Sequence, residues 1–328
     1  MDLKSNILTL LRSQQEYISG QELCDNFGVS RTAIWKAVNS LKEDGYEIEA
    51  VKNKGYMLIS YPDVISKSEI ASRLKTKWIG KELYYYEETL STNLDAKTLA
   101  QKGVADGTVV VADCQTKGCG RRGRDWESPK GTSISFSIVL RPNIEPNTAP
   151  MITLIKAMAV VKALEEVCAL ESKIKWPNDV VVNGKKVCGI LTEMSVETDY
   201  IHYVVVGTGI NVNQESVPEE LKQKATSLRI EKGRKIVRAD VLEHVLYWFE
   251  YYYEIFLNTG DLSALKDEYN QMLVSLQKEV NVLDPKGNYQ GISQGINEKG
   301  ELVVQLKDGT IQNVYAGEVS VRGLYGYV

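Results

Sequence analysis

The sequence predicts an α+β protein in three parts, and three changes of texture carry that expectation. Residues 1–62 combine helix-period apolar spacing with one alternating pair of runs. Residues 63–275 mix long β-branched runs with helices, and residues 276–328 give short alternating runs cut by turn sequences. A chain of 328 residues is also too long for one ordinary domain.

In the first part, Leu3, Ile7, Leu8, Leu10 and Leu11 repeat at helical spacing. Ser19-Gly20-Gln21-Glu22 has the capping-box pattern and opens a short helix. Phe27-Gly28-Val29 makes a tight turn, and Ser30 caps a third helix from Arg31 to about Asp44. Ala33, Ile34, Ala37, Val38 and Leu41 form its inner face. Tyr46 to Val51 and Tyr56 to Ile59 alternate around the basic turn Lys52-Asn53-Lys54-Gly55. This is a winged helix-turn-helix, with a three-helix protein-interaction module as the alternative. Ser19, Ser30, Arg31, Thr32, Trp35, Lys36, Asn39, Lys52 and Lys54 are the expected DNA-binding residues. The first 60 residues hold 7 Lys and Arg against 8 Asp and Glu, a net charge of −1, so one copy should bind DNA weakly and two copies better.

After Ser60-Tyr61-Pro62-Asp63, a plausible linker, come a short helix from Ser66 to about Leu74 and a strand from Leu83 to Glu87. Thr89-Leu90-Ser91-Thr92-Asn93 precedes a helix from Leu94 to Lys102. These hydroxyls and this amide either cap the helix or bind a small polar ligand at its positive end. Thr108–Ala112 and Ser133–Leu140 read as strands. Between them, Gly118-Cys119-Gly120-Arg121-Arg122-Gly123-Arg124 packs three glycines and three arginines into seven residues. That stretch is either a solvated basic turn or a cradle for an anion, because glycine permits close backbone approach and arginine matches anionic oxygens. A helix from Pro150 to about Val167 leads to Lys175-Trp176-Pro177-Asn178-Asp179, which sets a lysine, an amide and a carboxylate together. Asn183-Gly184 marks a hairpin joining Val180–Val182 to Lys185–Met194, with Lys186 beside the turn. His202–Asn213 is a strand ending in Gly207-Thr208-Gly209-Ile210-Asn211. Helices are expected from Arg238 to about Asn258 and from Leu262 to Ser275. The runs Tyr289–Ile296, Glu301–Leu306 and Thr310–Tyr315, between turns such as Asp284-Pro285-Lys286-Gly287-Asn288, suggest a small barrel.

Composition narrows the chemistry. Five cysteines without CxxC spacing argue against disulfides and structural zinc, and two histidines weaken any histidine-based mechanism. No metal-ligand set is expected. No run of about 18 apolar residues and no signal-peptide pattern occur, so no membrane association and a cytoplasmic location are expected.

Ser91-Thr92-Asn93, the Gly/Arg stretch from Gln115, Lys175-Trp176-Pro177-Asn178-Asp179, Lys186-Val187-Cys188-Gly189-Ile190-Leu191 and Gly317-Glu318-Val319-Ser320-Val321-Arg322, in this order, resemble the bifunctional biotin–protein ligases that also repress biotin-operon transcription. The resemblance covers nearly the whole chain. It implies a class II synthetase-like central domain over 63–275 and an SH3-like barrel over 276–328. It implies that biotin and ATP, with Mg²⁺, give biotinyl-5′-AMP. That adenylate then biotinylates a lysine of a biotin carboxyl carrier protein, in acetyl-CoA carboxylase and as a further candidate pyruvate carboxylase. Lys186, Arg121, Asp179 and Lys175 are the implied catalytic residues. Ser91, Thr92, Asn93, Gln115, Gly118, Cys119, Gly120, Arg121, Arg122, Trp126, Asn178, Lys186, Gly189, Gly207, Asn211 and Arg322 are the implied ligand-binding residues. Bound adenylate is expected to act as corepressor, favouring a homodimer that reads a two-fold operator. Cys119 stands where many relatives have arginine, and Asn313-Val314-Tyr315 lacks a tryptophan that some place against adenine. A ligand-sensing regulator without catalysis and a lipoate-type protein ligase are the competing readings.

Overall fold

Three short helices with a Gly turn between the second and third begin the chain: α1 (Leu3–Ser13), α2 (Gly20–Phe27) and α3 (Arg31–Glu43). The computed structural model describes every residue except Met1, Gln15, Asp199, Pro285, Lys286, 317–319 and 324–326. Asp2, Ser19 and Ser30 cap the three helices through side-chain oxygens, each accepting from a backbone N–H three residues on. Gly28, at φ 64°, ends α2 in the left-handed conformation that the tight turn needs. The hairpin β1 (Glu47–Val51) and β2 (Gly55–Ser60) follows. Its inner residues join Ile7, Leu8, Leu11, Leu23, Ile34, Val38 and Leu41 in one apolar core. After the hairpin comes α4 (Lys67–Ala71), capped by Ser66. Glu69, fully buried on α4, is held by Arg12 at 2.5 Å, by Arg73 at 2.6 Å and by the Tyr46 hydroxyl. These elements form one compact unit, Met1–Lys75 with Val237–Glu243.

The second compact unit comprises Thr76–Ile236 and His244–Val328. Its larger sheet is eight-stranded and mixed. The path runs β3 (Leu83–Thr89), β4 (Thr108–Cys119), β6 (Ser133–Leu140), β10 (Tyr200–Asn211), β9 (Lys185–Glu197), β8 (Asp179–Val182) and β7 (Ser172–Lys175), with β5 (Asp125–Ser128) paired to β4. Only β3 and β4 are parallel, joined through α5 (Thr92–Gln101). Strand β6 is buried at every position, as expected for a central strand covered on both faces. Helix α6 (Met151–Cys168) is apolar almost all round and packs on β7 and β9. The short α7 (Leu228–Lys232), the long α8 (Arg238–Thr259), which begins within the first unit, and α9 (Lys266–Met272) complete the helices.

The last five strands, β11 (Glu279–Leu283), β12 (Tyr289–Ile296), β13 (Leu302–Gln305), β14 (Ile311–Val314) and β15 (Ser320–Gly323), form an antiparallel sheet in the order β14-β13-β12-β11-β15. The expected turn residues Pro285 and Lys286, and Gly317, Glu318 and Val319 of the C-terminal motif, lie outside the described residues.

Two expectations need correction. The helix predicted from Leu262 to Ser275 forms only over Lys266–Met272, because its flanking backbone bonds elsewhere. Leu262 N–H donates to Glu298 O at 2.8 Å, and Val274 N–H donates to Ile174 O at 2.9 Å. The Gly/Arg stretch is not an open loop. Strand β4 runs on to Cys119, and Gly118 and Cys119 pair with Trp126 and Asp125 of β5. Only 120–124 turns, with Arg122 at φ 59° and Gly120 N–H donating to Arg124 O at 2.7 Å. Pairing with β5 satisfies backbone groups that a loop would leave to water. Among the described residues no helix is long and apolar enough to cross a membrane.

Candidate active site

The Gly/Arg hairpin, the start of α5 and the facing ends of β8, β9 and β10 enclose two adjoining cavities. The smaller, about 50 Å³, is lined by Ser91, Thr92, Gln115, Trp126, Gly189 and Thr208 among others. Ser91 occupies the N-cap of α5 but makes no side-chain capping bond, so of its two sequence readings capping is the one not realised. Gln115 Oε1 accepts from Thr92 N–H at 2.8 Å and from its hydroxyl at 3.1 Å. Ser137 Oγ donates to Asn93 Oδ1 at 2.6 Å and lies within hydrogen-bond distance of Thr92 Oγ1, 2.8 Å away. Asn93 Nδ2 donates to Glu193 at 2.7 Å and to Leu191 O at 3.3 Å. The amide of Asn93 is thus spent on holding α5 against β6 and β9.

Glycines make this wall possible. A Cβ on Gly207 would lie 2.0 Å from Asn93 Oδ1, and one on Gly209 would lie 2.4 Å from Trp126 Cε2. Trp126 therefore packs closely against β10, with its ring also 3.2 Å from where a Gly189 Cβ would sit. Gly118 serves the same packing, because a Cβ there would meet the Trp126 carbonyl at 2.3 Å. Among the described residues, Trp126 Nε1 and Thr208 Oγ1 are buried without a hydrogen-bond partner. An unmet buried donor costs about 1–3 kcal/mol, and a small ligand carrying oxygen acceptors would relieve that cost.

The larger cavity, about 150 Å³, is lined by Arg121, Arg122, Arg124, Lys175, Lys186 and Arg322, with Asp125 and Asp179 as its carboxylates. Six cations around two carboxylates suit a polyanion. Lys186 stands between the two cavities. Its aim comes from a bulge: Val180 pairs with Cys188 but Val181 with Lys186, leaving Val187 extra. Lys186 Nζ lies 2.7 Å from Asp179 Oδ1 and 5.5 Å from the Trp126 ring centroid. The other Asp179 oxygen accepts from the Tyr327 hydroxyl. Lys175 Nζ lies 3.9 Å from the centre of the Tyr327 ring. Burial, followed by the neighbouring Lys186, Arg322 and Arg124 charges, lowers the Lys175 ammonium to about 8, although Asp179 opposes this. Burial also lowers Arg121, with Asp179 opposing. Burial and the Asp179 charge push the Tyr327 phenol upward.

Arg121 is fixed at both ends of its fork, donating to Asn178 Oδ1 at 3.0 Å and to Ala316 O at 2.8 Å. Asn178 Nδ2 donates to Ile190 O at 3.1 Å, so its amide is oriented by protein on both sides. Trp176, joined to Pro177 by a cis peptide bond, donates from Nε1 to Gly300 O at 3.1 Å.

Of the ligand-binding residues expected from sequence, Asn211 lines neither cavity. Its amide donates to Thr226 O at 3.1 Å and accepts from Gln214 at 3.3 Å, a loop-fastening role. Gly118 stands behind Trp126 rather than on the lining. Cys119 and Gly120 reach the smaller cavity, and Gly120 the larger one as well. Residues not foreseen are Asp125, Ser137, Thr208, Gly209 and Tyr327, while Arg124 belongs to the stretch already read as a possible anion cradle. Gly209 and Thr208 lay within a noticed Gly-Thr-Gly. Tyr327 had no local signal.

On the first unit, Arg31, Thr32, Trp35 and Lys36 are exposed on α3, Trp35 by 56%, and Lys52 and Lys54 are exposed at the hairpin tip. Asn39 is half-buried. Ser19 and Ser30 are engaged as caps, accepting from Glu22 N–H at 3.0 Å and Ala33 N–H at 3.3 Å.

The sequence pattern of the Biotin/lipoate A/B protein ligase family matches residues 85–211, an HTH domain matches 4–57, and the biotin protein ligase C terminal domain matches 276–322. The chain is 40% identical to the bifunctional ligase/repressor BirA of Bacillus subtilis strain 168 over 322 residues, covering 97% of this chain and 98% of that protein. It is 28% identical to the Escherichia coli K12 protein of the same name over 96% of both chains. Among solved structures it resembles the Aquifex aeolicus biotin protein ligase in complex with biotin and ATP. There the TM-score is 0.66 at 35% identity, covering 74% of this chain and 99% of that one. Alignment over nearly the full length, together with the three matched regions, identifies this chain as a member of the biotin protein ligase family in its bifunctional ligase/repressor form.

Proposed function

We propose that this protein activates biotin with ATP and transfers it to a carrier-protein lysine, and that the resulting adenylate turns it into a DNA-binding repressor. The observation that carries the ligase reading is Lys186, set between a small walled cavity and a cavity ringed by cations. In the first step a biotin carboxylate oxygen attacks the α-phosphorus of ATP, and the bond to the β-phosphate oxygen breaks. Biotinyl-5′-AMP and pyrophosphate result. In the second step the carrier lysine amine attacks the mixed-anhydride carbonyl, AMP leaves and an amide forms. Two anions must meet in the first step, so fixed positive charge lowers its barrier without a covalent enzyme intermediate.

Ser91, Thr92, Gln115 and Trp126 would receive the ureido end of biotin, with Trp126 Nε1 and Thr208 Oγ1 as unmet polar atoms. Lys186 would meet the biotin carboxylate and the developing charge. Arg121, Arg122, Lys175 and Arg322 would hold the phosphates. Asp179 would orient Lys186, which it already contacts. Among the described residues no group of three or more His, Cys, Asp or Glu side chains could hold a metal. Mg²⁺ would therefore arrive with the nucleotide, whose phosphates supply oxygen ligands, and Asp125 and Asp179 are the carboxylates it would meet. Its contribution would be neutralisation of phosphate charge.

Residues 1–62 would read the operator through α3 and the hairpin tip, 63–275 would carry the ligase, and 276–328 would supply Arg322. Closure of the Gly/Arg turn over adenylate would favour the homodimer that binds two half-sites. The test mixes protein, biotin, α-labelled ATP and Mg²⁺, then adds a carrier domain. Biotinyl-AMP, followed by released AMP and biotinylated carrier, is expected. Lys186→Ala should nearly abolish adenylate while melting like the wild type. Unchanged adenylation in that variant would remove Lys186 from the site, and no adenylate in the wild type would sink the ligase reading.

A further inference from the structure

Among the described residues, Lys186 forms an ion pair with one oxygen of the Asp179 carboxylate, and the Tyr327 hydroxyl donates a hydrogen bond to the other. Tyr327 comes from 148 residues further along the chain, beyond β15, and lines the cationic cavity. Its ring face also carries Lys175 Nζ, 3.9 Å from the centroid. One side chain thus touches both charged ends of Lys175-Trp176-Pro177-Asn178-Asp179.

This arrangement answers a mechanical problem. Lys186 has four rotatable carbons, and a flexible ammonium contributes little to a reaction unless something holds it. Asp179 does so at 2.7 Å, but an aspartate anchored on one oxygen can still rotate about its own side-chain bonds. A hydroxyl donor on the second oxygen removes that freedom, and a charge-assisted hydrogen bond is strong enough to do it. The aromatic face likewise limits where the Lys175 ammonium can stand.

Building on the ligase reading above, we infer that Tyr327 is a positioning residue for adenylate formation. Its hydroxyl fixes Asp179 so that Lys186 points at the reacting carboxylate, and its ring seats Lys175 on the phosphate side. The hydroxyl acts in the chemical step, through Lys186. The ring acts on nucleotide binding, through Lys175.

The experiment measures pyrophosphate release during biotinyl-AMP formation by the full chain, with kcat and the KM for biotin and ATP determined separately. Tyr327→Phe keeps the ring and is expected to lower kcat about tenfold with both KM values nearly unchanged, within the hundredfold that a displacement of about 1 Å can cost. Tyr327→Ala should lower kcat further and raise the KM for ATP, so that activity follows the order Tyr, Phe, Ala. In an Asp179→Asn background, Tyr327→Phe should cost nothing more, since the hydroxyl acts through that carboxylate. Wild-type kcat in Tyr327→Phe overturns the inference, as does faster turnover, which would make Tyr327 an obstruction. An undiminished loss in the Asp179→Asn background, or a loss matched only by a lower melting temperature, also overturns it. A wild-type protein that makes no adenylate defeats the ligase reading itself, and this inference with it. Adenylate formation by the wild type, equalled by Tyr327→Phe, defeats the inference alone.

Discussion

Gly209→Ala isolates the wall of the smaller cavity. Gly209 sits inside β10, where alanine's backbone preferences are met, so the effect is purely steric. The new methyl would lie 2.4 Å from Trp126 Cε2, 2.5 Å from Nε1 and 2.7 Å from Cζ2. Carbon atoms pack at about 3.5–4.0 Å, so the indole must retreat by roughly 1 Å. It cannot do so freely, because Gly118 of β4 pairs with Trp126 and holds its backbone. Overpacking of this kind costs about 1–3 kcal/mol of stability. The same shift changes the position of the Trp126 face relative to Lys186, whose Nζ is 5.5 Å from the ring centroid, and misplaces Nε1. Misplacement by about 1 Å can cost on the order of a hundredfold in rate. Adenylate formation should therefore fall by one to two orders of magnitude, with weaker biotin binding, while the protein stays folded with a lowered melting temperature. Calorimetric titration with biotin and a pyrophosphate-release assay read the two effects. Wild-type biotin affinity and wild-type adenylation would refute the reasoning, since the wall would then lie away from the ligand.

Three further outcomes are expected. Lys175, at about 8 rather than 10.5, loses its charge as pH rises through 8, so adenylation should decline on an alkaline limb near that pH. Lys175→Arg should move the limb upward, and an unmoved limb in a pH–rate series would assign it elsewhere. Lys156 is fully buried on α6, its Nζ without a hydrogen-bond partner among the described residues and 4.3 Å from the ring centroids of both Phe136 and Phe249. Burial lowers its pKa well below the usual value, so the ammonium is less favourable in the folded chain than in the unfolded one. That difference destabilises the fold below the unfolded pKa and fades as pH rises towards it. Lys156→Met should stabilise the protein in urea denaturation at pH 7 and less so at pH 10, and an equal gain at both values would contradict this. Lys52→Ala with Lys54→Ala should weaken operator binding and reduce the salt slope by about two, with adenylation untouched. An unchanged slope would take the hairpin tip off the DNA.

Much of this protein is written locally. Ser19, Ser30 and Ser66 announced helix starts, Gly28 announced a turn, and Asn183-Gly184 announced a hairpin; each acts on neighbours within a few residues. The density of charge in Gly118 to Arg124 and in Lys175 to Asp179 marked the site because polyanion chemistry needs specific residue types close together. What sequence left open depended on contacts between distant segments. Why residues 207 and 209 must be glycine and how Lys186 is aimed were settled by Asn93, Trp126 and a bulge at Val187. Asn211 looked like a ligand residue beside Gly209, yet a loop 15 residues away claims its amide. Tyr327 was silent because a tyrosine outside every motif becomes meaningful only when folding brings it to Asp179. The sequence determined the parts list through short-range capping, turn and charge patterns. The tertiary structure alone decided which polar atoms remained for chemistry, because a hydrogen bond satisfied across the fold removes a group that composition would count as available.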